Sequence, residues 1–321
     1  MSNEILIIAG DPNSINSEII YKSYKKLNSS LKKRIYIIGS YNLIKKQLNV
    51  LKYKIKLKKI KNLIKNNNDT ALKILDLNLK FNNPFNVKKK LASNYILASL
   101  NFAHGLALKN KISGIINCPI DKSLLLKKNT GVTEYLARKC NIKNNSEVML
   151  IFNKKQSVVP LTTHIEVKNI SKKINSLNII NKLKTIKNWY ETKMNFKPKI
   201  AILGLNPHNS EMTKNSEEKK IIVPAIKKLK RFGFNVNGPI VADSIFINEY
   251  KKYDVIVGMY HDQVLAPFKA LYKYNAINIT LGLKYLRLSP DHGTAFNLIK
   301  KKKANATSLL NCIKIINKIK K

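Results

Sequence analysis

The chain has 321 residues, 44% hydrophobic and 8% aromatic. That is enough for one large α/β domain or two smaller ones with a sizeable core, and it is not the composition of a disordered chain. The formal net charge is +42, but the lysines are scattered along the whole sequence, and arginine, which base-reading and phosphate-clamping sites favour, is scarce beside lysine. Lys, Asn and Ile all have AT-rich codons, so compositional drift accounts for the charge without a nucleic-acid partner; it leaves weak polyanion binding and salt-sensitive solubility as consequences.

The predicted elements alternate. Met1 to Gly10 lacks a basic leader and reads as a first strand, Ile5 to Ala9, rather than a signal peptide. Further strand-like runs are Ile35 to Ile38, Ile112 to Asn117, Glu147 to Phe152, Ile200 to Leu205, Val255 to Met259 and Ala276 to Thr280. Helical periodicity marks Ala92 to Leu108, with Leu91, Ile96, Leu97, Leu100, Ala103 and Leu106 as its apolar positions. It recurs over Asn178 to Trp189, Glu217 to Phe232 and Leu309 to Ile319. Leu43 to Phe81 is the least informative stretch, and Asn66-Asn67-Asn68 reads as a loop. Alternating strands and helices predict an α/β architecture with a largely parallel sheet. There is no internal repeat, no Pro/Gly/Ser linker, no G-x-G-x-x-G and no Walker A motif. The three cysteines, Cys118, Cys140 and Cys312, form no framework and fit a reducing compartment, and no apolar run approaches the ~20 residues of a membrane span. The expectation is a cytoplasmic protein with no membrane and no specific nucleic-acid partner.

Three of the five histidines share one local context. His164 follows Ser157 to Thr163, His208 follows Ile200 to Pro207, and His261 follows Val255 to Tyr260. Each lies just past an apolar, β-branched-rich run. In parallel α/β sheets ligands bind outside the carboxyl ends of strands, so three imidazoles delivered there make a candidate divalent-metal site. Such a site polarises a substrate hydroxyl or carbonyl. The spacing is long-range and carries less specificity than a local metal-binding motif.

The blocks around these histidines resemble the 4-hydroxythreonine-4-phosphate dehydrogenase family. They are Leu205-Asn206-Pro207-His208, Met259-Tyr260-His261-Asp262-Gln263, Asn278-Ile279-Thr280-Leu281-Gly282-Leu283, Arg287 to Ala295, and Leu161-Thr162-Thr163-His164. Shorter matches are Gly10-Asp11-Pro12, Cys118 to Lys122, Thr133 to Leu136 and Gly238 to Asp243.

The resemblance implies an α/β fold like isocitrate and isopropylmalate dehydrogenases, with two intertwined three-layer α/β/α subdomains and a cleft between them. Residues 1–321 would then form one catalytic domain, assembled as a homodimer. It implies NAD- or NADP-dependent oxidation of 4-phosphooxy-L-threonine and decarboxylation to 3-amino-2-oxopropyl phosphate, a step of pyridoxal phosphate biosynthesis. By the same resemblance His164, His208 and His261 hold one divalent ion (zinc, magnesium, cobalt or manganese) with ligands shared across the dimer, and Thr133, Lys269, Asn278 and Arg287 contact substrate. Asp243 and Asp262 are candidates for orienting a ligand histidine or transferring a proton. Asp291, His292, Gly293 and Thr294 are assigned to the cofactor.

The chain departs from the family pattern at three places. Val132 stands where the family has a substrate-contacting His, and valine cannot hydrogen-bond. Asn13 to Glu18 replaces a glycine-rich run, and Asp121 stands where Asn is usual. A paralogue acting on another phosphorylated hydroxy acid, such as a four-carbon sugar-acid phosphate, and a decayed enzyme with a polyanion-binding surface are the competing readings.

Overall fold

The computed structural model describes residues 4–64, 67–109, 112–125, 131–142, 146–273 and 275–319. The chain divides into two compact units, Met1–Val132 with Lys284–Lys321, and Thr133–Leu283.

The first unit holds strands β1 (Ile5–Ile8), β2 (Ile35–Gly39), β3 (Leu57–Ile60), β4 (Leu72–Asp76), β5 (Gly114–Asn117) and β12 (Arg287–Pro290). They lie in the order β3-β4-β2-β1-β5-β12, and every recorded pairing is parallel. The central strands β1 and β2 are buried at every residue, as a parallel sheet covered on both faces requires. The edge strand β3 instead exposes Lys58 and Lys59, charges that discourage pairing with another chain.

The helix Lys89–Lys109 buries Ala92, Tyr95, Ile96, Ser99, Leu100 and Ala103, a spacing of three and four that defines one face. Leu91 is exposed, so the buried stripe is rotated from the one the apolar residues alone suggest. Helix Tyr41–Val50 and strands β3 and β4 fall in the stretch from which periodicity predicted nothing, and β12 was also missed. The lysines of β3 and β4 conceal their strand alternation; Lys73 is itself buried, with its Nζ bonded to the carbonyls of Lys32 and Asp69. In the Asn66 to Asn68 loop, Asn66 lies outside the described residues.

The second unit holds β6 (Val148–Phe152), β7 (Ser157–Pro160), β8 (Ile200–Leu203), β9 (Val236–Ile240), β10 (Val255–Gly258) and β11 (Ile277–Leu281), in the order β11-β6-β7-β10-β8-β9. Strands β7, β10, β8 and β9 run parallel, whereas β6 is antiparallel to both β7 and β11. The expectation of a largely parallel sheet therefore holds for the first unit, while this one is mixed. The reason is local. Only four residues join β6 to β7, too few for a crossover, and the Asn153 side chain accepts the Lys155 N–H to close a tight turn.

The core here includes Ile151, Val158, Ala201, Leu203 and Ile256 of the sheet, packed with Val264, Leu265 and Phe268 of the helix His261–Tyr272. That packing fixes the helix whose first residue is His261. Among the described residues no helix is long and apolar enough to cross a membrane.

Candidate active site

Strand β10 lies between β7 and β8, and both pair with it in parallel. The carboxyl ends of all three therefore emerge along one edge, and the three histidines follow them. His164 comes four residues after β7, His208 five after β8, and His261 three after β10. Strand order, which long-range spacing in the sequence cannot reveal, makes neighbours of residues nearly a hundred positions apart.

The rings of His164 and His261 have centroids 5.7 Å apart with planes inclined by 41°. His164 Nδ1 is a buried nitrogen without a hydrogen-bond partner, 3.8 Å from Glu134 Oε1. His261 Nδ1 lies 2.6 Å from Asp262 Oδ1. Two adjacent imidazoles, one with an orphaned buried nitrogen and each beside a carboxylate, fit a divalent cation by donor chemistry. His208 is exposed, and among the described residues no three His, Cys, Asp or Glu side chains are gathered to hold a metal.

Glu134 is a site residue that the sequence reading passed over. Burial works to raise its carboxyl, but the neighbouring His164 ring, its own backbone N–H and the Thr163 hydroxyl outweigh that and hold the group at about 2. The Thr163 hydroxyl donates to Glu134 Oε1 at 3.1 Å.

Of the expected substrate contacts in this unit, Thr133 is buried with its Oγ1 3.3 Å from Thr280 Oγ1. Asn278, on β11, has a buried Oδ1 without a hydrogen-bond partner. Lys269 is exposed on the helix that begins at His261. Asp243 is exposed, and the Asp262 side chain is 83% exposed.

In the first unit, Arg287 is buried on β12 and its Nε donates to Asn117 Oδ1 at 2.6 Å. Asp291 to Thr294 form the loop that leaves β12. The Asp291 N–H donates to Ser308 Oγ, His292 Nδ1 lies 2.9 Å from the Gly293 carbonyl, and the Thr294 carbonyl accepts the Ile15 N–H. Asp121 accepts the Ser123 N–H and so caps a short turn. His104 pairs with Tyr285 Oη at 2.9 Å.

The family model described as pyridoxal phosphate biosynthetic protein PdxA matches residues 30–316. The chain belongs to this family. A 4-hydroxythreonine-4-phosphate dehydrogenase from Sulfurihydrogenibium sp. is 34% identical over 325 residues, covering 97% of each chain. The crystal structure of a 4-hydroxythreonine-4-phosphate dehydrogenase from Klebsiella pneumoniae superposes with a TM-score of 0.85 at 28% identity, covering 99% of this chain and 98% of that one. A β-decarboxylating dehydrogenase from Thermococcus kodakarensis, 11% identical with a TM-score of 0.52 over 96% of this chain and 80% of that one, shares the fold alone.

The conformation that presents His208 was invisible in the sequence. His208, Asn209, Ser210, Glu211 and Met212 all have left-handed φ, between 47° and 57°, and none is glycine. Each such residue costs about 1–2 kcal/mol. The buried Glu218 carboxylate offsets part of this. It accepts the N–H groups of Leu205 and Asn206, both at 2.8 Å, and the Asn206 amide, which pins the approach to the turn. Ser210→Gly removes a Cβ from a left-handed position, so the variant is expected to be more stable by about 1 kcal/mol in urea unfolding, after the added chain entropy of glycine. A loss of about that size, as glycine causes at right-handed positions, would show that the turn is not left-handed.

Proposed function

We propose that this protein is a 4-hydroxythreonine-4-phosphate dehydrogenase. It oxidises 4-phosphooxy-L-threonine to 2-amino-3-oxo-4-phosphooxybutanoate with NAD or NADP as hydride acceptor, and the product loses carbon dioxide to give 3-amino-2-oxopropyl phosphate. The observation that carries this reading is the delivery of His164, His208 and His261 to one edge by three adjacent parallel strands.

His164, His208 and His261 would hold the divalent ion, which when bound supplies a Lewis acid that acidifies the substrate hydroxyl and then polarises the carbonyl. Because His208 is exposed and one chain gathers only two of the three imidazoles, the reading includes a homodimer in which the partner subunit completes the ligand set. Glu134 and Asp262 hold the rings of His164 and His261 in orientation. Asn278 Oδ1 and the Thr133 hydroxyl supply polar contacts for the substrate's amino and hydroxyl groups. Lys269 stands ~12 Å along the helix axis from His261, at 1.5 Å per residue, and carries the positive charge that suits the phosphate. The Arg287 guanidinium, anchored to Asn117 through Nε, is of a chemistry that suits an anionic group. The loop Asp291 to Thr294, at the carboxyl end of a parallel strand, occupies the position where α/β sheets bind cofactors. Three free, buried cysteines support a reducing, cytoplasmic setting.

One observation keeps a second substrate in view. Val132, the first residue of the helix Val132–Lys139, offers no polar atom where the family has His. The test is NADH formation by purified protein, stripped with chelator and reloaded with divalent metal, on 4-phosphooxy-L-threonine and on a four-carbon sugar-acid phosphate. Metal-dependent turnover of the first is expected, and Val132→His is expected to lower its KM about tenfold, the worth of one hydrogen bond to a charged group. Turnover of the second alone, with no gain from Val132→His, would replace this substrate assignment with the paralogous one.

A further inference from the structure

The β10–β8 ladder stops at Val257 and Ile202, before either strand reaches its histidine. On the other side, the β10–β7 ladder is prolonged. Leu161 N–H donates to Gly258 O at 2.8 Å, Thr162 N–H donates to Met259 O at 3.2 Å, and the Thr162 hydroxyl donates to the same carbonyl at 2.7 Å. The His164 loop is thus tied to the His261 loop up to Met259. Among the described residues the pairing of β10 with β8 goes no further than Val257 and Ile202, and a side chain spans the gap beyond. The Gln263 carboxamide accepts the Met259 N–H at 2.7 Å and donates to the Gly204 carbonyl at 2.7 Å. A primary amide has the donor and acceptor of a peptide unit, so Gln263 reproduces one rung of the missing ladder.

Gly258 makes room for it, and Gly204 makes room for the turn that follows β8. A Cβ on Gly258 would come within 2.8 Å of Gln263 Oε1 and 2.5 Å of Val264 Cγ1, and a Cβ on Gly204 would collide with Asn209 Oδ1 in the left-handed turn. Met259 lies two residues before His261 and Gly204 four before His208, so the two bonds of Gln263 fix the separation of the loops that carry those histidines.

We propose that Gln263 is a positioning residue that holds the His208 loop against the His261 loop within each subunit and thereby sets the affinity for a divalent cation of the sites those two loops serve. The proposal rests on the metal-site reading above. An amide that only stabilised the fold would affect unfolding without affecting metal affinity. An amide that sets the register of two ligand loops affects affinity first, because the ligands of a loosened site must be reordered at each binding event.

The test is zinc affinity of the full-length protein, measured by competition with a chromogenic chelator, alongside the melting temperature of the metal-free form. Wild type is expected to bind, His261→Ala to lose binding, and Gln263→Met, which keeps shape but makes neither bond, to bind about 10- to 100-fold more weakly. Gln263→Glu keeps an acceptor for Met259 and loses the donor to Gly204; it should also bind more weakly than wild type, and it serves if the Met variant does not fold. Wild-type affinity in whichever variant folds, with a lowered metal-free melting temperature, would overturn the positioning role while leaving the metal site standing. Equal zinc binding by wild type and His261→Ala, or none by either, would overturn the site and this role together.

Discussion

Replacing His208 by alanine is expected to abolish hydride transfer and weaken metal binding while the chain stays folded. The side chain is exposed and its neighbours in the turn keep their left-handed backbone, so the stability change should stay within about 0.5 kcal/mol, as for other surface positions. A Lewis acid contributes several kcal/mol to such a transition state, and at ~1.4 kcal/mol per tenfold the loss in kcat/KM should be about a thousandfold or more. The measurement is NADH formation by the variant with saturating metal, next to its zinc affinity. Wild-type turnover would remove His208 from the ligand set. A thousandfold loss with unchanged zinc affinity would instead make it a substrate contact.

Asp11→Asn is expected to stabilise the protein at neutral pH by about 2 kcal/mol and to flatten its pH dependence. Asp11 follows β1, is 2% exposed, and has its carboxyl raised from 3.8 to about 6. Burial is the main cause, opposed by hydrogen bonds from the Asn13 and Asp121 N–H groups and reinforced by the Asp121 charge. A carboxyl with a raised folded value binds its proton more tightly when native. The native state therefore carries more protons than the unfolded chain between about pH 4 and 6, and stability falls as pH rises through that window. At ~1.4 kcal/mol per tenfold in proton affinity, the interval from 3.8 to about 6 is worth about 3 kcal/mol. Asparagine removes this charge burden but gives up the weaker 3.3 Å bond from Asp121, about 1 kcal/mol. Urea unfolding from pH 4 to 8 checks it. A variant less stable than wild type at pH 7.5, with the same slope between pH 4 and 6, would show that Asp11 is not a buried carboxylate under strain. The substitution lies in the first unit, outside the histidine set.

Most of the central strands were legible because a strand buried on both faces must be apolar throughout. The runs Ile5 to Ala9, Ile35 to Ile38, Ile200 to Leu205 and Val255 to Met259 each match an observed strand to within two residues. Strands β3 and β4 were not, because edge position and buried lysine disguise alternation, and β9, with Gly238 and Pro239 in Val236–Ile240, carries residues that argue against a strand. The placement of the three histidines past neighbouring strands was legible because each closely follows such a run. Glu134, Gln263 and the left-handed turn at His208 were not. A carboxylate, an amide and a run of ordinary residues acquire their roles only from what the fold sets beside them.

The sequence alone determined the family and the α/β class, and it singled out the three imidazoles as candidates, since apolar patterning and local blocks are properties of adjacent residues. Only the tertiary structure decided that β10 lies between β7 and β8, that His164 and His261 stand ring to ring, that Asp11 is buried, and that Gln263 bridges two loops. Strand order and burial are set by packing between segments a hundred residues apart, and no local pattern records which strand will be neighbour to which.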